Sequence, residues 1–154
     1  SLVTQNVDGL HLAAGSERIY ELHGNVRRTR CTGCGAIEDR GLEPLGDRPV
    51  CSSCGGFLRP DIVWFHEMLP EDVWAASMYA VHECDCLMVV GTSAVVHPAA
   101  SLIPLARRKK PPAKVIEVNL AETIASISAD VGLYGPSGEI LPKLLAMIEG
   151  EKAD

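Results

Sequence analysis

The sequence predicts an α/β protein in which a parallel β-sheet packs against helices and a small metal-binding ribbon is inserted. Two observations predict this class. Apolar segments typical of buried strands alternate with segments of helical spacing along the 154 residues. Two C-x-x-C pairs, separated by sixteen residues, interrupt that alternation in the first half of the chain.

The composition limits the classes of function. The chain is 47% hydrophobic and 22% charged, which is ordinary for a soluble globular protein, and its length suits one domain with a small insert. The formal net charge of −6 argues against a nucleic-acid binder, which usually carries a basic face. No apolar run approaches the roughly 20 residues that a membrane-spanning helix needs. We therefore expect neither a nucleic-acid nor a membrane partner.

The predicted elements of the first half are short. A strand begins at Leu2, a helix follows over 8–14, and Gly15 suits the C-terminal cap of that helix. Residues 19–22 look extended. Residues 62–65, Ile-Val-Trp-Phe, are rich in β-branched and aromatic side chains and predict another strand.

The second half alternates helices and strands. Acidic residues at 71 and 72 favour a helix start after Pro70. The apolar run 87–90 predicts a strand buried on both faces. The remaining predicted elements are a helix over 98–110, strands over 115–118 and 131–134, and a final helix over 141–148 with Pro142 in its first turn.

The two C-x-x-C pairs predict a zinc site. Each pair can present two thiolates to one tetrahedral ion, and four thiolates leave no open position, so the zinc would be structural. The alternatives are two disulfides or unrelated buried thiols. No signal peptide is visible, and six cysteines in such a chain suggest a reducing, cytoplasmic setting. Cys84 and Cys86 are expected to be small core residues. The predicted zinc ligands are Cys31, Cys34, Cys51 and Cys54.

Small polar residues follow three of the predicted strands, at Gln5-Asn6, at Gly91-Thr92-Ser93 and at Asn119. Because the carboxyl ends of parallel strands line one crevice, this pattern predicts a nucleotide site there. A following helix can direct its N-terminus at a phosphate. No G-x-G-x-x-G occurs in the chain, so we expect the mononucleotide half with that fingerprint to precede Ser1.

Several motifs, in order along nearly the whole chain, resemble those of one family. They are T-Q-N-V-D at 4–8, L-H-G at 22–24, the cysteine module at 31–54, R-P-D-I-V-W-F with Glu67 at 59–67, G-T-S at 91–93, and G-P-S-G at 135–138. Together they resemble the sirtuins, the NAD-dependent protein deacylases. The resemblance implies a Rossmann-like NAD-binding domain over 1–26 and 62–154, lacking its N-terminal part, with a zinc-ribbon insert over 27–61.

The resemblance also implies site residues. His23 would be the general base, a role suited to an imidazole that titrates near neutrality. Asn6 and Asp8 would complete the catalytic set by holding the nicotinamide ribose and carboxamide. Val63 and Glu67 would pair with the backbone of an acylated-lysine protein or peptide as an added strand. The implied NAD-binding residues are Gln5, Asn6, Val7, Asp8, Gly91, Thr92, Ser93, Asn119, Leu120, Ala121 and Ser137.

Other interpretations of these residues stay open. A lone histidine after a strand is more often packed or exposed than catalytic, and Asp8 alone could be a helix N-cap. The same NAD chemistry would serve a protein ADP-ribosyltransferase. A zinc-stabilised fragment could instead be a binding module without catalysis.

The sequence departs from the sirtuin pattern in two ways. The opening segment with the glycine-rich phosphate loop, which also carries the residues that distinguish acetyl from succinyl or malonyl groups, is not in these residues. We therefore expect the 154 residues alone neither to bind NAD tightly nor to turn over. His66 stands where the family has glycine. It could crowd the substrate backbone or point to solvent, and His66→Gly is expected to improve the peptide KM.

Overall fold

The computed structural model of the protein describes residues 1–150 and contains three small β-sheets. The chain divides into two units, one over 1–77 and one from residue 78 onward, and each is described by itself. The predicted α/β class is confirmed, with a parallel sheet in the second unit and an antiparallel ribbon in the first. No helix among residues 1–150 is long and apolar enough to cross a bilayer.

The first unit begins with two parallel strands joined through a short helix. Strand β1 (Leu2–Thr4) pairs with β2 (Ile19–Glu21), and α1 (Leu10–Ala13) lies between them in sequence. Helix α1 starts two residues later than predicted. Gly9 has φ +71, and the Asp8 carboxylate accepts the Leu10 N–H at 2.9 Å, so the helix cannot extend back through this turn.

The ribbon is an antiparallel sheet with β3 (Gly24–Cys31) between β4 (Ile37–Asp39) and β5 (Leu58–Ile62). The strand predicted over 62–65 is wrong, since β5 ends at Ile62. The Trp64 N–H is captured by the Glu67 carboxylate at 3.0 Å, which closes a turn instead of extending the strand. Pro60 lies in β5 because this edge strand can lack one N–H donor.

The second unit is a parallel sheet in the order β6-β7-β8, flanked by helices. Helix α2 runs from the first unit into the second, and a 3₁₀ turn (Ala99–Ser101) precedes α3. The helices are α2 (Glu71–Glu83), α3 (Leu102–Arg108) and α4 (Ser137–Gly150). The strands are β6 (Cys86–Val90), β7 (Lys114–Asn119) and β8 (Val131–Tyr134).

The apolar core of the second unit lies on one side of β6. Val89, Ile103 and Val115 belong to it, and Leu87 packs against it. Met88 and Val90 on the other face of β6 are each 39% exposed, so the prediction that this strand is buried on both faces is wrong. Cys86 is exposed and Cys84 is half-buried, and neither is the core residue expected. The central strand β7 is the one with buried residues on both faces.

Helix α4 begins four residues before the predicted start. The Pro136 carbonyl accepts the N–H groups of Glu139 and Ile140 at 2.9 and 3.1 Å, so the first turn forms immediately after Pro136. The Gly-Pro-Ser-Gly sequence that resembles a loop is therefore partly helical, and Pro142 lies inside the helix. Ser137 becomes the first helical residue.

Candidate functional site

The four predicted zinc ligands converge at one point of the ribbon. All four sulfurs lie within 4.8 Å of one another, with Cys31 Sγ 3.4 Å from Cys54 Sγ and Cys34 Sγ 3.8 Å from Cys51 Sγ. A disulfide would bring two sulfurs to about 2.05 Å. A zinc tetrahedron with Zn–S bonds of about 2.3 Å sets them about 3.8 Å apart. The geometry therefore fits one zinc ion, and the disulfide alternative is wrong.

The backbone around the sulfurs also suits thiolates. The N–H groups of Cys34 and Gly33 donate to Cys31 Sγ at 3.4 and 3.3 Å, and the first of these chiefly lowers the pKa of Cys31 to about 6. The Gly56 N–H lowers the pKa of Cys54, but the sulfurs of Cys31 and Cys34 outweigh it and raise that pKa to about 12. Four thiolates this close together repel one another, so they cannot all ionise without a cation. A bound divalent metal would neutralise that repulsion.

Leu22 and His23 join β2 to β3, and Gly24 is the first residue of β3. Leu22 is 1% exposed, and its N–H donates to the Thr4 carbonyl at 3.0 Å, which anchors the turn. Gly24 has φ +75, and a Cβ there would lie 2.1 Å from the Asp61 carbonyl oxygen, so only glycine fits. The imidazole between these two residues is fixed by the backbone on both sides.

The His23 ring is oriented by a main-chain group. Its Nδ1 lies 3.1 Å from the Gln5 carbonyl oxygen. Since a carbonyl only accepts, Nδ1 carries the hydrogen, and in the neutral ring Nε2 is left as the acceptor. The Val63 N–H donates to the His23 carbonyl at 3.0 Å, which ties the histidine to the end of β5.

The predicted nicotinamide-side residues follow β1 directly. The Asn6 N–H donates to Thr4 Oγ1 at 3.1 Å, and the Asn6 side chain is exposed. The Val7 carbonyl accepts the Val26 N–H at 2.8 Å. The Asp8 carboxylate accepts the Leu10 N–H and closes the turn before α1, but the N-cap residue of α1 is Gly9, so the N-cap interpretation of Asp8 is wrong. This bond leaves the second carboxylate oxygen of Asp8 for other partners.

The second unit holds a cavity of about 310 Å³ at the carboxyl ends of β7 and β8. Asn119 lines this cavity and holds the surrounding loops together. The side-chain amide donates to the Thr92 carbonyl at 2.8 Å, the side-chain oxygen accepts the Leu120 N–H at 2.9 Å, and the Asn119 carbonyl accepts the Gly135 N–H at 2.8 Å. One residue thus joins the loops after all three strands. The lining residues are Gly91, Val118, Asn119, Leu120, Gly135, Pro136 and Ser137.

Three other predicted NAD residues lie beside this cavity in sequence and do not line it. Thr92 Oγ1 accepts the Ala94 N–H at 3.2 Å and so stabilises its own turn. Ser93 and Ala121 are exposed. The structure therefore gathers four of the predicted cofactor residues of this unit, Gly91, Asn119, Leu120 and Ser137, around one space.

A family model described as the Sir2 family matches residues 1–98, which is well over half of the chain. The chain belongs to the Sir2 family. The recognition made from the sequence motifs is thereby confirmed.

Curated Sir2-family relatives match nearly all of this chain. NAD-dependent protein deacylase 2 of Pyrobaculum aerophilum is 44% identical over 150 residues, which are 96% of this chain and 59% of that protein. NAD-dependent protein deacylase 1 of Archaeoglobus fulgidus is 46% identical over 145 residues, which are 94% and 58% of the two chains. The chain thus spans about three fifths of the length of these relatives.

Solved Sir2-family structures share its fold. A crystal structure of a Sir2 homolog–NAD complex aligns with a TM-score of 0.90 at 41% identity, covering 97% of this chain and 58% of that chain. A structure described as Sir2–p53 peptide–NAD⁺ aligns with a TM-score of 0.82 at 34% identity, covering 97% and 62%.

Some residues that shape the site in this Sir2-family chain were not among the predicted ones. Gly135 and Pro136 line the cavity, and the turn signal after β8 could have identified them. Asp61 is 6% exposed and binds Arg28 Nε at 3.1 Å and Arg30 at 2.8 Å, which holds β5 against β3 beside Gly24. No local sequence signal predicts these ion pairs, because Asp61 lies more than thirty residues from Arg28 and Arg30.

Proposed function

We propose that this chain is the zinc- and histidine-bearing part of an NAD-dependent protein lysine deacylase. In the proposed reaction, acyl-lysine, NAD and water give lysine, nicotinamide and O-acyl-ADP-ribose. Family membership supports the NAD chemistry, and the names of the relatives support the acyl-lysine substrate. The division into residues 1–26 and 62–154 for the NAD-binding domain and 27–61 for the zinc ribbon is part of the same proposal.

The observation that carries the proposal is the contact between His23 Nδ1 and the Gln5 carbonyl oxygen at 3.1 Å. It leaves Nε2 of the neutral ring as a proton acceptor, which is the state that a general base requires. His23 would take the proton from a ribose hydroxyl as the acyl group moves to ADP-ribose. The backbone anchor keeps the ring from turning during that transfer.

NAD supplies the ADP-ribose that accepts the acyl group. Asn6 and Asp8 would hold the nicotinamide ribose and carboxamide, with Gln5 and Val7 supporting that end. The cavity of the second unit would take the adenosine end, where Ser137 opens α4 and offers helix N-terminal N–H groups. The remaining proposed contacts are Gly91, Thr92, Ser93, Asn119, Leu120 and Ala121.

The zinc would hold the ribbon together and take no part in the chemistry, because four thiolates fill its coordination sphere. Val63 and Glu67 would lie at the edge that captures the acylated peptide. We also propose a cytoplasmic location, supported by six cysteines that form no disulfide within the described residues.

The proposal is tested in the intact protein with acetyl-, succinyl- and malonyl-lysine peptides. His23→Ala is expected to reduce kcat about 100-fold or more, as removal of a general base does. His82→Ala is the matched control, because that histidine is exposed on α2 and its ring Nδ1 lies 2.9 Å from its neighbour Glu83. Mass spectrometry identifies the product. Free O-acyl-ADP-ribose supports the deacylase, whereas an ADP-ribosylated protein would overturn it in favour of a transferase.

A further inference from the structure

The segment after β5, residues 63–67, is closed by a backbone bond from the Glu67 N–H to the Trp64 carbonyl at 3.0 Å and is tied to the ribbon by Arg59. Arg59 Nη1 and Nη2 donate to the two carboxylate oxygens of Glu67 at 2.7 and 2.8 Å. This two-bond geometry fixes the planes of both side chains relative to one another. Arg59 lies on β5, so the bond ties the end of the segment back to the ribbon.

The same guanidinium makes two further contacts. It lies 4.4 Å from the centroid of the Trp64 ring, and Nη2 also donates to the Ile62 carbonyl at 3.2 Å. On the other side, Glu67 Oε2 accepts the Trp64 N–H at 3.0 Å. Arg59 and Glu67 thus enclose Trp64 through its ring and its backbone, and the segment becomes a closed turn.

Apolar burial does not hold this turn. Phe65 is 95% exposed, Met68 is 89% exposed and Trp64 is 51% exposed. His66 has φ +72, a left-handed conformation that a residue with a Cβ adopts only under constraint. A turn with exposed apolar side chains and a strained residue needs specific polar bonds, and the Arg59–Glu67 pair provides them.

The turn begins at Val63, which connects it to the histidine. The Val63 N–H is already donated to the His23 carbonyl, so a peptide pairing with Val63 must use the Val63 carbonyl. The Trp64 N–H and both Glu67 carboxylate oxygens are likewise engaged within the turn. Glu67 therefore influences a bound peptide through the shape of the turn.

We propose that Arg59 and Glu67 form a positioning pair that sets the Val63 backbone to receive an acylated peptide. This assignment rests on the proposed deacylase function and names the residues that determine its peptide affinity. The pair acts through Trp64 and Val63 and does not touch the reacting atoms.

The test measures steady-state kinetics of the intact protein with an acetyl-lysine peptide. Arg59→Lys keeps the charge but loses the planar fork and the stacking on Trp64. Glu67→Gln keeps the shape but loses the charge. Each is expected to raise the peptide KM about tenfold while leaving kcat, the KM for NAD and the zinc content unchanged. The matched control is Arg107→Lys, since Arg107 forms a one-bond ion pair with Asp130 at 2.8 Å in the second unit, away from the turn.

The double variant Arg59→Lys/Glu67→Gln separates a pair from two independent contacts. If the residues act together, the double variant raises the peptide KM no more than either single variant. If the two fold-changes multiply, Glu67 contacts the peptide independently and the inference is overturned. A parallel rise in the KM for NAD together with a loss of thermal stability would reveal a general structural role, which also overturns the inference. A wild-type protein that binds NAD and the acetyl-lysine peptide but does not deacylate it would instead contradict the proposed function.

Discussion

Gly24 shows how one residue decides the approach of two strands. A Cβ at this position would lie 2.1 Å from the Asp61 carbonyl oxygen, a distance at which backbone must move. Its φ of +75 is also unfavourable for any residue with a Cβ. The glycine beside the histidine therefore has a structural reason in β5, independent of the chemistry proposed for His23.

Gly24→Ala is expected to destabilise the protein by about 3 kcal/mol, because the left-handed conformation costs about 1–2 kcal/mol and the overlap with β5 about 1–3 kcal/mol. Gly41→Ala is the matched control. Gly41 has φ +61 but a Cβ there meets no described atom within 4 Å, so only the conformational cost applies. Thermal unfolding of both variants measures the difference, and equal losses would contradict the steric explanation.

His66 is a second position where the backbone sets the outcome. Its φ of +72 suits the glycine that the family has there, and its side chain is exposed. His66→Gly should stabilise the protein by up to about 1 kcal/mol. Glycine adopts the left-handed conformation without strain, but it loses more backbone entropy on folding, which offsets part of the gain. His66→Ala keeps a Cβ and should bring no gain in the unfolding midpoint. A gain from both variants would assign the effect to the imidazole instead.

At the scale of elements, a buried carboxylate ties the second unit together. Glu117 on β7 is fully buried and accepts hydrogen bonds from the hydroxyls of Thr123, Ser126 and Tyr134. Burial by itself raises the pKa of Glu117, but the three donors outweigh it and the pKa is lowered. The carboxylate thereby joins β7, the 3₁₀ turn that follows it (Ile124–Ile127, with Thr123 as N-cap) and β8.

The sign of this shift predicts a pH dependence. A carboxylate with a lowered folded pKa stabilises the fold above its unfolded pKa of about 4.3, and that contribution is lost as the pH falls through the folded pKa. Glu117→Gln should cost about 1–3 kcal/mol at pH 7 and weaken the decline in stability below about pH 4. Urea unfolding between pH 3 and 7, with exposed Glu122→Gln as control, measures both. If the free energy of unfolding of Glu117→Gln falls with decreasing pH as steeply as that of the wild type, Glu117 does not cause the acid destabilisation.

Strands β6, β7 and β8 were predictable because their apolar runs and the turn residues after them are local signals. The strand predicted over 62–65 failed because a carboxylate two residues beyond it, Glu67, captured a backbone N–H. The start of α4 was missed because glycine on both sides of Pro136-Ser137 resembles a loop. Each error arises where a side chain or a proline carbonyl overrides the local preference.

The candidate site was predictable to a different extent. Cysteine spacing predicted the four sulfurs that the structure brings together, and the L-H-G motif singled out His23, whose ring meets the Gln5 carbonyl. The sequence could not reveal that the Asn119 amide bonds to the Thr92 carbonyl, or that both Glu67 oxygens bind Arg59. Those pairings depend on how loops meet in space, and no spacing rule encodes them.

At the scale of the whole molecule, the four-cysteine cluster belongs to the first unit and the parallel sheet β6-β7-β8 to the second. The core of the second unit is built from β6, β7, α3 and the turn after β7, without any of the four sulfurs. Zinc binding would supply about 10 kcal/mol or more of the folding free energy of the small ribbon. Loss of the metal should therefore destabilise the first unit much more than the second.

Removal of zinc by a chelator is expected to abolish amide protection in β3 and β5 while β6, β7 and β8 keep theirs. Hydrogen exchange read by mass spectrometry resolves the two sets of peptides. Cys51→Ser should reproduce the effect and lose the bound zinc, whereas exposed Cys86→Ser should retain one zinc per chain. Uniform loss of protection across all five strands would contradict the assignment of the metal to the first unit.

The group that orients His23 is a peptide carbonyl, and every amino acid carries one. Saturation mutagenesis at position 5 should thus leave the imidazole tautomer intact whichever side chain is installed, so long as the chain path survives. The tautomer that the proposed general base needs is therefore set by the path of the main chain, which a substitution at position 5 does not change.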